Sequence, residues 1–146
     1  MKKMNAAATK TKDTLAFEQN DIVVPKDLVF EKLLHARDVR IWLAVKHASD
    51  TIGKFDQGAL IECLMTAFDL DAESVEESLS ALLVTGWIVK TQNGVGVVTE
   101  CFSETELYDH NPEYISQLRE LSESGSTRLR QTAHDRWSNL RLYAAT

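Results

Sequence analysis

The chain has 146 residues, which fits one domain with appendages, and its 44% hydrophobic content is ordinary for a globular protein. No run approaches the roughly 18 apolar residues of a membrane-spanning helix. The net charge of −6 is uneven: +2 over residues 1–20, −6 over 21–100 and −2 over 101–146, with a local +3 from Ser126 onward, and this acidic middle excludes a strongly basic nucleic-acid-binding domain.

Residues 1–18 are polar, rich in Ala, Lys and Thr, and without periodicity. They begin with Lys2 and Lys3, as a signal peptide does, but no apolar segment follows. They read as a disordered basic tail, and the expected compartment is the cytoplasm. Asp21–Val24 is expected to be a short strand ended by Pro25, followed by a short helical segment, Asp27–Leu34, with Leu28, Phe30 and Leu33 or Leu34 turned inward. A longer helix covers about Ala36–Ser49, where Val39, Trp42, Leu43 and Lys46 share a face and Trp42 is the anchor.

After a loop at Asp50–Lys54, Asp56 can cap a second helix, Gln57–Phe68, with Leu60, Leu64, Ala67 and Phe68 inward. Asp69–Asp71 makes a tight turn with Leu70 buried in it, and Asp71 caps a third helix, Ala72–Thr85. Val75, Leu79, Leu82 and Leu83 form the core face of that helix, and Gly86 fits a left-handed C-terminal cap. Trp87–Gln92 and Val95–Glu100 alternate as strands. Asn93-Gly94 between them predicts a type I′ hairpin turn, in which both central residues take positive φ.

Beyond Phe102, Ser103 and Glu106 have capping-box spacing. Asn111 as N-cap and Pro112 at the first helical position predict a helix to about Ser122, with Tyr114, Ile115, Leu118 and Leu121 as its apolar stripe. After a break at Ser122–Ser126, a final helix covers about Thr127–Ala144, with Leu129, Ala133, Trp137, Leu140 and Ala144 at helical spacing. Arg130, His134 and Arg141 line one edge of this stripe. The stripe either packs back on the preceding domain or pairs two chains, in which case Leu129, Ala133, Trp137 and Leu140 form a homodimer interface. Cys63 and Cys101 belong to no CxxC or Cys/His cluster and read as reduced core thiols. The four histidines are scattered without metal-ligand spacing, and neither a metal nor a cofactor is expected.

Three segments carry a resemblance: IVVPKDLVFEKLL before RIWLAV, the helix DLDAESVEESLSALL after its tight turn, and GWIVKTQNGVGVV. The stretch from about residue 21 to 100 resembles the winged helix-turn-helix superfamily, in the form found in replication and regulatory proteins of phages and plasmids. The resemblance implies an α+β, mostly α fold: a winged domain at residues 19–102 with a two-strand wing, and a helical extension at 103–146. It also implies duplex-DNA binding in replication or transcription control of a mobile genetic element, as a homodimer. The third helix would then face the major groove with Glu73, Ser74, Glu77, Ser80, Ala81 and Val84. The wing would offer Lys90, Gln92 and Asn93.

That face holds no basic residue, whereas affinity for DNA comes largely from neutralised phosphates. Cations would have to come from Lys54 and from basic arms at Lys2, Lys3, Lys10, Lys12, Arg130 and Arg141. The alternative is a protein-interaction adaptor whose acidic face binds a basic protein partner instead of DNA. No nucleophile-plus-His signature, GxSxG motif or phosphate-cradling loop appears, so the chain is read as a non-enzyme without a membrane partner.

Overall fold

The computed structural model describes residues 22–51 and 56–146. The calls on the Lys-rich tail, on Asp21 and on Lys54 fall outside these residues. The element order is α1 (Lys26–Val29), α2 (Ala36–Thr51), α3 (Gln57–Phe68), α4 (Ala72–Thr85), β1 (Ile88–Thr91), β2 (Gly94–Val97), α5 (Glu104–His110), α6 (Tyr114–Ser124) and α7 (Thr127–Ala145). The described chain is mostly helical, with a small two-stranded antiparallel sheet. Among the described residues no helix is long and apolar enough to cross a membrane.

Local chemistry sets most of the boundaries. Asp56 accepts from the Ala59 amide at 3.2 Å and Asp71 from the Ser74 amide at 2.8 Å, satisfying N–H groups that a first helical turn leaves open. Asp69 closes α3 at φ 54°, a left-handed position that Asp tolerates better than most side chains. Gly86 closes α4 at φ 87°. The capping box at Ser103 and Glu106 is complete and starts α5.

Several expectations are corrected. Residues 22–25 form no strand, and the helical segment before α2 is a single turn that buries Leu28 and leaves Phe30 exposed. Ala67 faces solvent. Both cysteines are exposed rather than in the core. In α6 the helix starts two residues beyond Pro112, with Asn111 accepting from the Tyr114 amide. The hairpin pairs Thr91 with Gly94 across Gln92 and Asn93, and Gly94 alone in that turn has positive φ, so the turn is not type I′. Thr91 Oγ1 accepts from the Asn93 amide and so braces the connection locally.

Two apolar cores hold the fold. The first joins α1–α4 and the hairpin around Leu28, Ile41, Trp42, Leu64, Val75, Leu79, Leu82, Trp87 and Ile88, with the Trp42 indole donating to the Trp87 carbonyl at 3.0 Å. The second gathers Val84 of α4 with Leu107, Tyr114, Leu118, Ala133 and Leu140 of α5–α7. The α4 helix therefore lies between both. Its last turn, from Leu82 to Thr85, is buried on all sides.

A candidate docking surface

The face of α4 assigned to DNA is largely occupied by the chain itself. Ala81 and Val84 are fully buried, and the Tyr114 hydroxyl donates to the Val84 carbonyl at 2.9 Å. Burial raises the Tyr114 hydroxyl above its ordinary pKa, against an opposing pull from Arg136. Placing Ala81 and Val84 among groove-facing residues is thus corrected: both are buried, and Val84 lies beneath side chains of α5–α7. Ser74 and Ser80 are half-buried, and Glu73 is exposed.

Glu77 is not free either. Its carboxylate accepts from Arg37 Nη2 at 2.9 Å and from Arg128 Nε at 3.0 Å. The Arg128 guanidinium also grips Asp38 at 3.0 and 3.2 Å and donates to the Leu33 carbonyl at 2.9 Å. Arg37 donates to Ser78 Oγ at 2.8 Å. Asp38 is fully buried, and its carboxylate also accepts from the His35 amide. Burial pushes the Glu77 carboxyl up, but hydrogen bonds from Arg128 and Arg37 outweigh it and hold the group below its ordinary value. This network clamps the start of α7 to α2 and α4. It explains why an acidic helix face sits opposite Arg37 and Arg128, two cations that lie unfavourably in first helical turns until carboxylates meet them. The sequence reading singled out neither residue, although first-turn arginines were a usable signal.

The final helix folds back in cis. Leu129, Ala133 and Leu140 are fully buried within the chain, so the interface role given to them is corrected. Trp137 is half-buried against the second core, with the Arg119 and Arg141 guanidinium carbons 5.6 and 5.2 Å from its ring. Arg130 is exposed and donates to the Gly125 carbonyl at 2.8 Å. Gly125 allows the tight turn from α6 into α7, because a Cβ there would strike the Leu121 carbonyl.

What remains open is a groove along α4, between it, the hairpin and α6. Part of it is a cleft of about 240 Å³ whose lining includes Glu76, Leu79, Leu83, Ile88, Lys90, Val95, Gln117 and Glu120. The groove continues past Glu73 and Ser80 towards Ser126 in one direction, and past Gln57 to Gln92 and Asn93 in the other. Glu73, Glu76, Glu120 and Lys90 have no ion-pair partner among the described residues. The Lys90 carbonyl accepts from Gln117 Nε2 at 2.8 Å and Asn111 Nδ2 at 3.4 Å, which ties the hairpin to α6 and fixes the cleft wall. Gln92 and Asn93 are exposed at the hairpin tip. Among the described residues no cluster of His, Cys, Asp and Glu could hold a metal ion. No protein-family model, curated protein or solved structure matches this chain.

Proposed function

We propose that this chain is a winged-helix protein that acts without catalysis as a protein-interaction adaptor, its acidic α4 groove docking a basic partner. The observation that carries this reading is the cover over α4: Ala81 and Val84 are fully buried, Val84 beneath side chains of α5–α7, and Glu77 is held by Arg37 and Arg128. A helix in that position cannot enter a major groove without the extension leaving. The carboxylates that stay open, Glu73, Glu76 and Glu120, repel phosphate and attract cations. In a gel shift with random-sequence duplex at about 50 mM salt, where phosphate contacts are strongest, the full chain is expected to leave the duplex unshifted. A shift that about 200 mM salt abolishes would overturn the adaptor reading.

A second reading rests on the hairpin tip, where Gln92 and Asn93 are exposed and the Lys90 ammonium has no ion-pair partner among the described residues. It is duplex-DNA binding through the wing and the basic arms, in replication or transcription control of a mobile genetic element. Under it the duplex shifts at low salt, and Lys90→Ala weakens binding to all sequences about equally, as a phosphate contact does.

A further inference from the structure

We propose that the cleft between α4, the hairpin and α6 receives an arginine or lysine side chain from a basic segment of a partner protein. The inference rests on the docking reading above and names its site and its chemistry.

Three features converge there. The floor is apolar, with Leu79 and Leu83 from α4 and Ile88 and Val95 from the hairpin. Two carboxylates without ion-pair partners among the described residues, Glu76 on α4 and Glu120 on α6, line facing elements. The third feature is a fixed wall: Gln117 Nε2 donates to the Lys90 carbonyl at 2.8 Å and ties α6 to the hairpin beside the cleft.

An anion would meet the repulsion of Glu76 and Glu120. A neutral side chain would leave both carboxylates unanswered. A long cationic side chain meets both demands: methylenes against the apolar floor and positive charge for the two glutamates. At about 240 Å³ the cleft falls below the roughly 300–1,000 Å³ of cofactor and drug-sized sites, which suits one inserted side chain. Lys90 marks the hairpin end, so the cation enters from the Glu76 and Glu120 end. The rest of the segment runs along α4 towards Glu73, the next open carboxylate.

The test uses the full chain, ¹⁵N-labelled, titrated with a capped peptide of alternating arginine and leucine and with its citrulline counterpart, which keeps the shape and loses the charge. The arginine peptide is expected to shift the Gln117 side-chain amide and the Ser80 and Glu120 backbone signals saturably, and the citrulline peptide is not. Glu76→Gln and Glu120→Gln should each weaken binding about two- to fivefold, as expected for partly solvated ion pairs. Saturable arginine-peptide shifts confined to other surfaces, or equal binding of the citrulline peptide, would overturn the cleft assignment and leave the docking reading standing. No response to the arginine peptide from a chain that shifts duplex DNA would overturn both.

Discussion

Arg128 is the residue on which the extension hangs. It makes four hydrogen bonds, to Glu77, Asp38 (two) and the Leu33 carbonyl, with a side chain only 18% exposed. Removing it leaves Asp38 fully buried beside Arg37 Nε at 4.0 Å, a contact too long to replace the lost bonds. Arg128→Ala should therefore destabilise the chain by about 3 kcal/mol, the lower end for breaking a buried pair because the guanidinium keeps some solvent. Arg130→Ala, three bonds poorer and exposed, should stay within about 0.5 kcal/mol. Urea melts of the two variants check both values, and equal midpoints would refute the clamp. The network also predicts an acid dependence. The folded-state pKa of Glu77 lies below its ordinary value of 4.5, so its contribution is fully present above about that pH and is lost as pH falls through the lower, folded value. Asp71 and Glu106, held down mainly by backbone amides of Ser74 and Ser103, act in the same direction. Melts at pH 7 and near pH 3 should show a smaller acid loss in Glu77→Gln than in the parent chain; an identical loss would remove Glu77 from the account.

Gly86 joins α4 to β1, and the two elements meet correctly because its φ of 87° turns the chain sharply into Trp87. A Cβ at this position would also lie 2.5 Å from Leu107 Cδ1 of α5. Gly86→Ala combines a left-handed non-glycine backbone with a displaced leucine and should cost about 1–3 kcal/mol, read as a lower urea midpoint with an unchanged slope. An unchanged midpoint would show that the turn relaxes freely. Signals of this local kind were legible in the sequence: the caps at Asp56, Asp71 and Ser103 and the stop at Gly86 depend on neighbours within a few residues. What covers a helix was not. Periodicity shows that Leu129, Ala133 and Leu140 share a face, but not whether α6 or a second chain lies against it. For α4 the cue was present and misread. Ala81-Leu82-Leu83-Val84 is apolar all round, which is the mark of a helix buried on every side. The first core accounted for Leu82 and Leu83, so Ala81 and Val84 were left for solvent. Phe30 failed in the opposite sense, since one helical turn cannot bury every apolar residue of its segment. The docking cleft escaped sequence reading because Gln117, Glu76 and Lys90 come together only when α6 folds across the hairpin.

At the scale of the molecule, α4 makes two cores into one structure. It gives Val75, Leu79, Leu82 and Leu83 to the first and Val84 to the second, while half-buried Leu121 of α6 packs against both. The Arg128 network adds a polar tie between α7 and the α2–α4 layer. Neither half can open without exposing apolar surface of the other, so heat should unfold the described body in a single calorimetric transition. The deletion of residues 126–146 tests this coupling. A final helix that served only to pair two chains would be dispensable, and its removal would leave a folded monomer. Here the helix packs in cis instead. The deletion removes Leu129, Ala133 and Leu140, each fully buried, and it uncovers Val84, Tyr114 and Leu118. It also leaves the buried Asp38 carboxylate without the Arg128 guanidinium that meets it. Two buried leucines lost and one broken buried pair, at about 2–5 kcal/mol each, are comparable with the roughly 5–15 kcal/mol that hold a domain of this size together. The truncated chain should lose the near-ultraviolet signal of Trp42 and Trp87 and bind a hydrophobic dye at room temperature. A truncated chain that keeps that signal and melts cooperatively would mean that the first core stands alone. The extension would then be a removable cover over α4, and the α4 face would again be open to DNA.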